Sequence, residues 1–112
     1  MDRAASYLQS MWLDTHIMMF SEFGRSIEPN QANGTDHGEA GLALLMGGRV
    51  NGGQIHGRWP GIDRHRKTLE TTTDSRAFFK ALLTGIWGIN HDELARIFPN
   101  SQSIFSLQGL YQ

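Results

Sequence analysis

The sequence predicts an α/β fold whose sheet is incomplete within the 112 residues of the chain. Two unbroken apolar runs, residues 16–20 and 42–46, have the pattern of strands that are covered on both faces, as in parallel sheets. The elements follow the order helix, strand, long loop, strand, turn, helix. Because two or three helices are too few to cover such strands on both faces, we expect the chain to be a fragment of a larger domain.

The composition is that of a globular protein. The chain is 39% hydrophobic and 19% charged, with 13 Gly, 3 Pro and no Cys, which excludes collagen, disorder and a disulfide scaffold. A formal net charge of −1 provides no bulk attraction to nucleic acid or to an anionic membrane. The absence of Cys removes thiolate nucleophiles, Cys-based zinc sites and iron–sulfur clusters, but it leaves the compartment open.

The first elements are predicted from periodicity. Residues 3–13 predict an amphipathic helix with one apolar face. Residues 16–20 predict a strand, with a buried helical turn as the alternative, and the run ends at Ser21. Residues 21–41 are rich in Gly, Pro and Asn and predict a long loop, which in compact domains is usually functional or disordered. Each apolar run is about a quarter of the roughly 20 residues that a membrane helix needs, and we expect neither membrane insertion nor a signal peptide in this chain.

The second half of the chain contains the strongest helix signals. Asn51-Gly52 predicts a tight turn that leads to a short strand near residues 54–56. Asp74 or Thr73 is expected to cap a helix with a wide apolar stripe, and Gly88 suits the position just past its end. A last short helix near His91–Ile97 is expected to stop before Pro99. We expect the tail, residues 99–112, to dock through its apolar residues, Phe105, Leu107, Leu110 and Tyr111.

Three residues are candidate metal ligands. Glu22 follows the first apolar run, where open α/β sheets place ligand-binding groups. Asp36 and His37 are adjacent and offer an oxygen and an imidazole nitrogen, which suit zinc or manganese when Glu22 supplies a third ligand. In the alternative interpretation, Asp36 accepts hydrogen bonds from backbone N–H groups in a turn and His37 packs at the rim of the sheet. Arg25 is a candidate for anion binding, or for an ion pair with Glu22.

Other motifs argue against common functions. The glycines between residues 47 and 53 are not followed by Lys-Ser/Thr or by a helix, so a phosphate-binding loop is not predicted. The basic run at residues 64–67 is interpreted as a solvated loop, and we predict no nucleic-acid partner. Ser21 and Ser26 lack the G-x-S-x-G context of a nucleophile. The remaining histidines show no metal-binding spacing: His16, His56, His65 and His91.

Five blocks, taken together, resemble a known bacterial family. They are MMFSEFGR at residues 18–25, GTDHG at 34–38, GGRVNGG at 47–53, GRWPG at 57–61 and TTDSR at 72–76. These blocks are similar to the last part of the domain-of-unknown-function family fifteen-oh-one, and the resemblance runs over residues 3–98. It implies an alkaline-phosphatase-like three-layer α/β/α sheet of the sulfatase superfamily, with residues 1–98 as its carboxy-terminal segment. It also implies export by the twin-arginine route to the periplasm.

The resemblance also implies roles for the candidate ligands. In the superfamily, a strand ends in an Asp-His pair that binds metal, and a further His precedes the next strand. Glu22 falls at the Asp position and His37 at the later His position, but Phe23 stands where a metal-binding His is expected. The nucleophile and the first metal-binding Asp belong to the amino-terminal half of the superfamily fold. We therefore expect the isolated chain to be inactive and its partner to be the missing amino-terminal part.

Three functional hypotheses follow. The first is metal-assisted hydrolysis of a phosphate or sulfate ester by the full-length protein, with Glu22, Asp36 and His37 holding the metal and Arg25 neutralising the anion. The second, motivated by Phe23, is a non-catalytic interaction or scaffold protein of the cell envelope. The third is a small domain that stands alone.

Overall fold

The computed structural model describes residues 2–112, which form two compact units. The first unit comprises the chain up to Gly48 together with Gly57–Thr72, and the second comprises Arg49–His56 together with Thr73–Gln112. The second unit includes residues 99–112 of the predicted tail. The elements are α1 (Asp2–Leu8), a 3₁₀ helix (Gln9–Asp14), β1 (His16–Phe20), β2 (Gly24–Arg25), β3 (His37–Gly38), β4 (Ala43–Gly47), α2 (Ser75–Trp87) and α3 (His91–Ile97).

The helix predicted over residues 3–13 is divided in the structure into α1 and the 3₁₀ helix. The division falls at Gln9, whose φ of 45° is in the left-handed region and breaks the α-helical hydrogen-bond pattern. The 3₁₀ helix ends where the hydroxyl of Thr15 donates to the carbonyl of Met11 over 2.7 Å. The carbonyl of Trp12 then accepts from the backbone N–H of Gly48, which ties the end of β4 to this helix.

The two predicted strands form, but they pair with each other in antiparallel orientation. Phe20 lies opposite Ala43, Met18 opposite Leu45 and His16 opposite Gly47. These two strands therefore do not show the parallel pairing that the apolar runs suggested. The reason is that an unbroken apolar run reports that both faces are apolar, while the direction of pairing depends on which strand lies beside it.

A second, shorter ribbon lies within the predicted long loop. In it Gly24 of β2 pairs with Gly38 of β3, and Arg25 pairs with His37. Gly24 is buried, and a Cβ there would overlap the carbonyl of Ala40. A Cβ at Gly38 would lie 2.6 Å from the carbonyl oxygen of Arg25. Glycine is required at both positions by the close approach of backbone, which the sequence indicated only as turn chemistry.

The second unit contains the predicted helices. Asp74 caps α2 through its side chain, and Gly88 follows the helix in the left-handed conformation. A capping box joins Asn90 and Glu93 at the start of α3. The predicted bounds of both helices are confirmed. The buried apolar residues belong to this unit and form its small core: Ala77, Ala81, Leu82, Leu94 and Leu110.

The strand predicted near residues 54–56 is absent; those residues carry no regular structure. Ile55 is 98% exposed, so its burial does not drive strand formation there. The positive φ of the predicted turn lies at Gly53 rather than at Asn51-Gly52. Instead, Val50 forms an antiparallel bridge with Tyr111. The described chain is thus a small mixed α/β structure with two two-stranded antiparallel sheets, and no helix of residues 2–112 is long and apolar enough to cross a membrane.

Candidate functional site

The β2–β3 ribbon brings the predicted site residues Arg25 and His37 side by side. They are direct cross-strand partners, so their Cβ atoms lie within about 5.5 Å of each other and their side chains leave the same face. Both residues are exposed. Phe23 lies two residues before Arg25 in the chain and contacts both of these side chains.

The ring of His37 stacks on the ring of Phe23. Their centroids are 3.8 Å apart and the ring planes differ by 24°. The resemblance placed these two residues at two metal-binding positions of the superfamily, and the structure brings the two positions together. Because Phe23 has no lone pair to donate, their meeting gives an aromatic contact instead of a pair of ligands.

Arg25 lies over the same phenyl ring. Its guanidinium carbon is 5.2 Å from the ring centroid of Phe23, within the range of a cation–π interaction. One nitrogen, Nη1, donates to the carbonyl of Thr35 over 3.1 Å. The alternative ion pair with Glu22 is not formed: Arg25 makes no salt bridge with any carboxylate of residues 3–112.

Asp36 serves the loop that precedes β3. Its carboxylate accepts a hydrogen bond from the side-chain amide of Asn30 over 2.9 Å, and its backbone N–H donates to the hydroxyl of Ser26 over 3.0 Å. The side-chain oxygen of Asn30 accepts in turn from the backbone N–H groups of Ala32 and Gly34, both over 3.0 Å. This network fixes residues 30–36 as a compact loop. Asp36 takes part in that loop, as the alternative interpretation expected, but the donor to its carboxylate is the side-chain amide of Asn30 instead of a backbone N–H.

Asn30 was not singled out from the sequence. It organises the loop through its amide, and the available signal was its position before Asn33-Gly34, since Asn side chains commonly bond the backbone two residues on. Asn33 itself adopts a φ of 60°, which asparagine tolerates better than most residues.

The candidate ligands do not form a metal cluster in this chain. Glu22 is exposed, Asp36 is engaged by Asn30, and His37 is stacked on Phe23. Among the residues that the structure describes, no group of three or more His, Asp or Glu side chains is placed to hold a metal ion. The donor set present here therefore does not fit a three-ligand site, and we derive no chemical step through a metal.

The groups with displaced pKa values lie in the second unit. The hydrogen bonds that Arg76 donates from its side chain and from its backbone lower the pKa of Asp74 to about 2. The same ion pair raises the pKa of Arg76. Burial raises the pKa of Tyr111. These shifts accompany a helix cap and a packed ring, and both are structural roles.

The comparisons with known proteins identify one family. A family model described as "Protein of unknown function (DUF1501)" matches residues 5–103. No curated protein and no solved structure matched the chain. Because the match spans most of its length, the chain belongs to this family of unknown function.

Proposed function

We propose that this member of the family is the carboxy-terminal segment of a larger exported α/β protein, and that its function is structural. In this proposal the β1–β4 ribbon adds to the sheet of the amino-terminal part of the same fold. The proposal includes the three-layer, alkaline-phosphatase-like sheet and the periplasmic location that the resemblance implies.

The apolar character of both faces of the β1–β4 ribbon carries the proposal. Side chains alternate between the two faces of a strand. The register places Met19 beside Leu44 on one face and Phe20 beside Ala43 on the other. The exposed fractions of Met19, Phe20 and Leu44 are 57%, 56% and 50%.

The edges of the ribbon support the same conclusion. In the part of the chain that the structure describes, β1 and β4 form a two-stranded sheet that has no third strand. An isolated two-stranded ribbon is marginally stable, and open apolar edges favour pairing with another strand. A partner that supplies further strands and a layer on each face satisfies the faces and the edges together.

Hydrogen exchange tests this proposal. We expect the amides of β1 and β4 to exchange rapidly in the 112-residue chain and to become at least ten-fold more protected in the longest open reading frame that contains it.

In that longer protein, Met19→Asp is expected to lower the melting temperature strongly because it buries a charge in the interface. Gln102→Asp, which introduces the same residue at an exposed polar position of the second unit, is the matched control.

Two outcomes overturn the proposal. One is equal protection of β1 and β4 in the short and long proteins. The other is a dimer of the 112-residue chain, detected by analytical ultracentrifugation, in which β1 and β4 are protected as well as in the longer protein, because a second copy would then be the natural partner.

Ester hydrolysis by the longer protein is the second candidate, and the exposed Arg25 beside His37 favours it. A guanidinium at this position suits a phosphate or sulfate group. In this candidate, the amino-terminal part of the fold supplies the nucleophile and the metal ligands that this chain does not assemble. This candidate requires that the longer protein hydrolyse a chromogenic phosphate or sulfate monoester, and that Arg25→Gln lower kcat/KM at least ten-fold. A hydrolysis rate no higher than that in buffer alone would exclude these substrates.

A further inference from the structure

We infer that Asn33 is a site of spontaneous covalent modification, at which the side-chain amide is lost through a cyclic imide and the residue becomes aspartate or isoaspartate. The reaction uses only water, hydroxide and the protein's own backbone, so it does not depend on how the faces of the β1–β4 ribbon are covered. The same two-residue motif occurs again at Asn51-Gly52, and there the structure protects the asparagine.

The reaction at Asn33 takes place between adjacent groups of the chain. The backbone nitrogen of Gly34 gives its proton to hydroxide and attacks Cγ of Asn33, which closes an imide ring. The bond between Cγ and Nδ2 breaks, and ammonia leaves with a proton taken from water, so the hydroxide is regenerated. Water then opens the ring, which gives aspartate when it attacks the side-chain carbonyl and isoaspartate when it attacks the backbone carbonyl. Glycine favours ring closure because it has no side chain to obstruct the approach.

The side chain of Asn33 is available for this attack. Asn33 and Gly34 are both exposed, and the side-chain amide of Asn33 makes no hydrogen bond within the part of the chain that the structure describes. The backbone N–H of Asn33 donates to the carbonyl of Asn30 over 3.1 Å. The amide can therefore rotate toward the nitrogen of Gly34 without breaking a side-chain hydrogen bond.

Asn51 has the same chemistry, but its side chain is held. Its amide nitrogen donates to the carbonyl of Gly109 over 3.2 Å, and its backbone N–H donates to the carbonyl of Leu110 over 2.9 Å. The residue is also half-buried. Attack by the nitrogen of Gly52 requires the side-chain hydrogen bond to break first, so the imide forms only from a locally opened state.

The two attacking nitrogens do not distinguish the sites. The N–H of Gly34 donates to Oδ1 of Asn30 over 3.0 Å, and the N–H of Gly52 donates to the carbonyl of Val50 over 2.9 Å. Each hydrogen bond must be released before its nitrogen reacts, and the two distances are nearly equal. The difference in rate is therefore expected from the asparagine side chains.

Modification at Asn33 removes part of the network that holds Asp36. The imide nitrogen carries no hydrogen, so its donation to Asn30 is lost while the ring is closed. Isoaspartate adds a methylene to the backbone between residues 33 and 34, which displaces the Gly34 carbonyl from the backbone N–H of Asn30, now 2.8 Å away. We expect the loop of residues 30–36 to loosen and the hydrogen bond between Asn30 and Asp36 to weaken.

The test is incubation of the wild-type 112-residue chain in mildly alkaline buffer. Both asparagines are followed by mass spectrometry of their peptides, with electron-transfer fragmentation to distinguish isoaspartate from aspartate. In the folded chain we expect Asn33 to react at least five-fold faster than Asn51. In concentrated urea, where the protecting hydrogen bonds are absent, we expect the two rates to agree within two-fold.

Two alanine variants provide the matched comparison. A Cβ at Gly34 would lie 3.7 Å from Oδ1 of Asn30, which is an ordinary contact, and a Cβ at Gly52 would have no neighbour within 4 Å. Gly34→Ala is expected to slow the reaction at Asn33 at least five-fold and to leave the rate at Asn51 unchanged. Gly52→Ala is the control and is expected to leave the rate at Asn33 unchanged.

Three results overturn the inference. The first is a reaction at Asn51 that is as fast as that at Asn33 in the folded chain. The second is a ratio of rates that is as large in urea as in the folded chain, because the neighbouring sequence would then set it. The third is an unchanged rate at Asn33 in Gly34→Ala, which would exclude the imide; this comparison is also made in urea, so that it does not depend on the folding of the variant.

Discussion

The imidazole of His37 stacks face to face on the phenyl ring of Phe23, at a centroid separation of 3.8 Å. The two residues are 14 positions apart in the sequence and meet because β2 and β3 pair directly. The stack explains how a histidine in a metal-like sequence context is used in this chain: its ring packs against an aromatic neighbour.

From the Phe23–His37 contact we predict that Phe23→His increases the affinity of the chain for zinc. Phe23→His places a second imidazole against His37, and two imidazoles provide two zinc ligands at adjacent positions. We expect the variant to bind zinc at least ten-fold more tightly than the wild type, as measured by titration calorimetry and by the NMR shifts of His37. Phe23→Leu is the control, because it also removes the phenyl ring and adds no ligand. Equal zinc affinity in the variant, the control and the wild type would contradict this use of the two positions.

The cap of α2 predicts acid sensitivity of the second unit. The pKa of Asp74 is lowered from 3.8 to about 2 by the hydrogen bonds from Arg76. A carboxylate with a depressed pKa in the folded state stabilises the fold above its unfolded pKa, and this contribution is lost as the pH falls. We expect α2 to lose stability between pH 4 and pH 2, followed by circular dichroism during urea unfolding. Asp74→Ala is expected to cost about 1 kcal/mol at pH 7 and to flatten this pH dependence.

Asp74→Asn separates the cap from the charge. Asparagine retains an oxygen that accepts from the backbone of Arg76, so the helix keeps its cap, but it does not titrate. The prediction is contradicted if Asp74→Asn retains the loss of stability between pH 4 and pH 2, since another group would then be responsible.

We predict that replacing the buried Lys80 lowers the stability of the second unit, because its two hydrogen bonds are lost. Lys80 is 5% exposed, and its Nζ donates to the carbonyls of Ser101 and Ile104 over 2.7 and 2.8 Å. Lys80→Met keeps the length of the side chain but leaves two carbonyls without their donor, which we expect to cost about 1–3 kcal/mol in urea unfolding. The other lysine of the chain, Lys67, is exposed; Lys67→Met is expected to change stability by less than about 0.5 kcal/mol. Equal effects at both positions would show that the two hydrogen bonds contribute little.

At Gly85 we predict that substitution by alanine destabilises the helix, which is the reverse of the usual effect of helix propensity. Alanine is normally favoured over glycine inside a helix by about 1 kcal/mol. Here a Cβ at Gly85 would overlap the ring of Tyr111, so Gly85→Ala is expected to displace that ring and destabilise the unit. Burial raises the pKa of Tyr111, and displacement is therefore expected to lower this pKa toward 10.0 in an ultraviolet titration.

A double variant tests whether overlap with Tyr111 causes the destabilisation by Gly85→Ala. In a Tyr111→Ala background the overlap is gone, and Gly85→Ala is expected to stabilise α2 as ordinary helix propensity dictates. Destabilisation in both backgrounds would locate the cost elsewhere in the helix.

Local signals predicted the two helices of the second unit well, whereas the helix predicted over residues 3–13 is divided at Gln9. Asp74 and Gly88 are terminal residues of α2 whose side chain or backbone freedom acts within one helical turn, so their positions can be inferred from the nearby sequence. The apolar runs likewise gave the positions of β1 and β4 to within one residue. Their antiparallel pairing depends on contacts between distant segments, and it was not predicted.

The candidate site was predicted only as a set of residue types. Adjacent Asp36 and His37 have the chemistry of metal ligands, but the neighbours that decide their use come from elsewhere in the chain. Asn30 engages the carboxylate and Phe23 covers the imidazole. Neither interaction follows from periodicity or from motif spacing, because each depends on how the loop between β2 and β3 closes.

The pairing of residues 49–51 with the end of the chain has a consequence for the order of folding. The backbone N–H of Asn51 donates to the carbonyl of Leu110, and the side-chain amide of Asn51 donates to the carbonyl of Gly109, 58 residues away. During synthesis, the segment around Asn51 leaves the ribosome long before its partners exist. The helices of this unit form from local contacts and are free to assemble first, whereas this strand-like closure is necessarily a late step and slows completion of the unit.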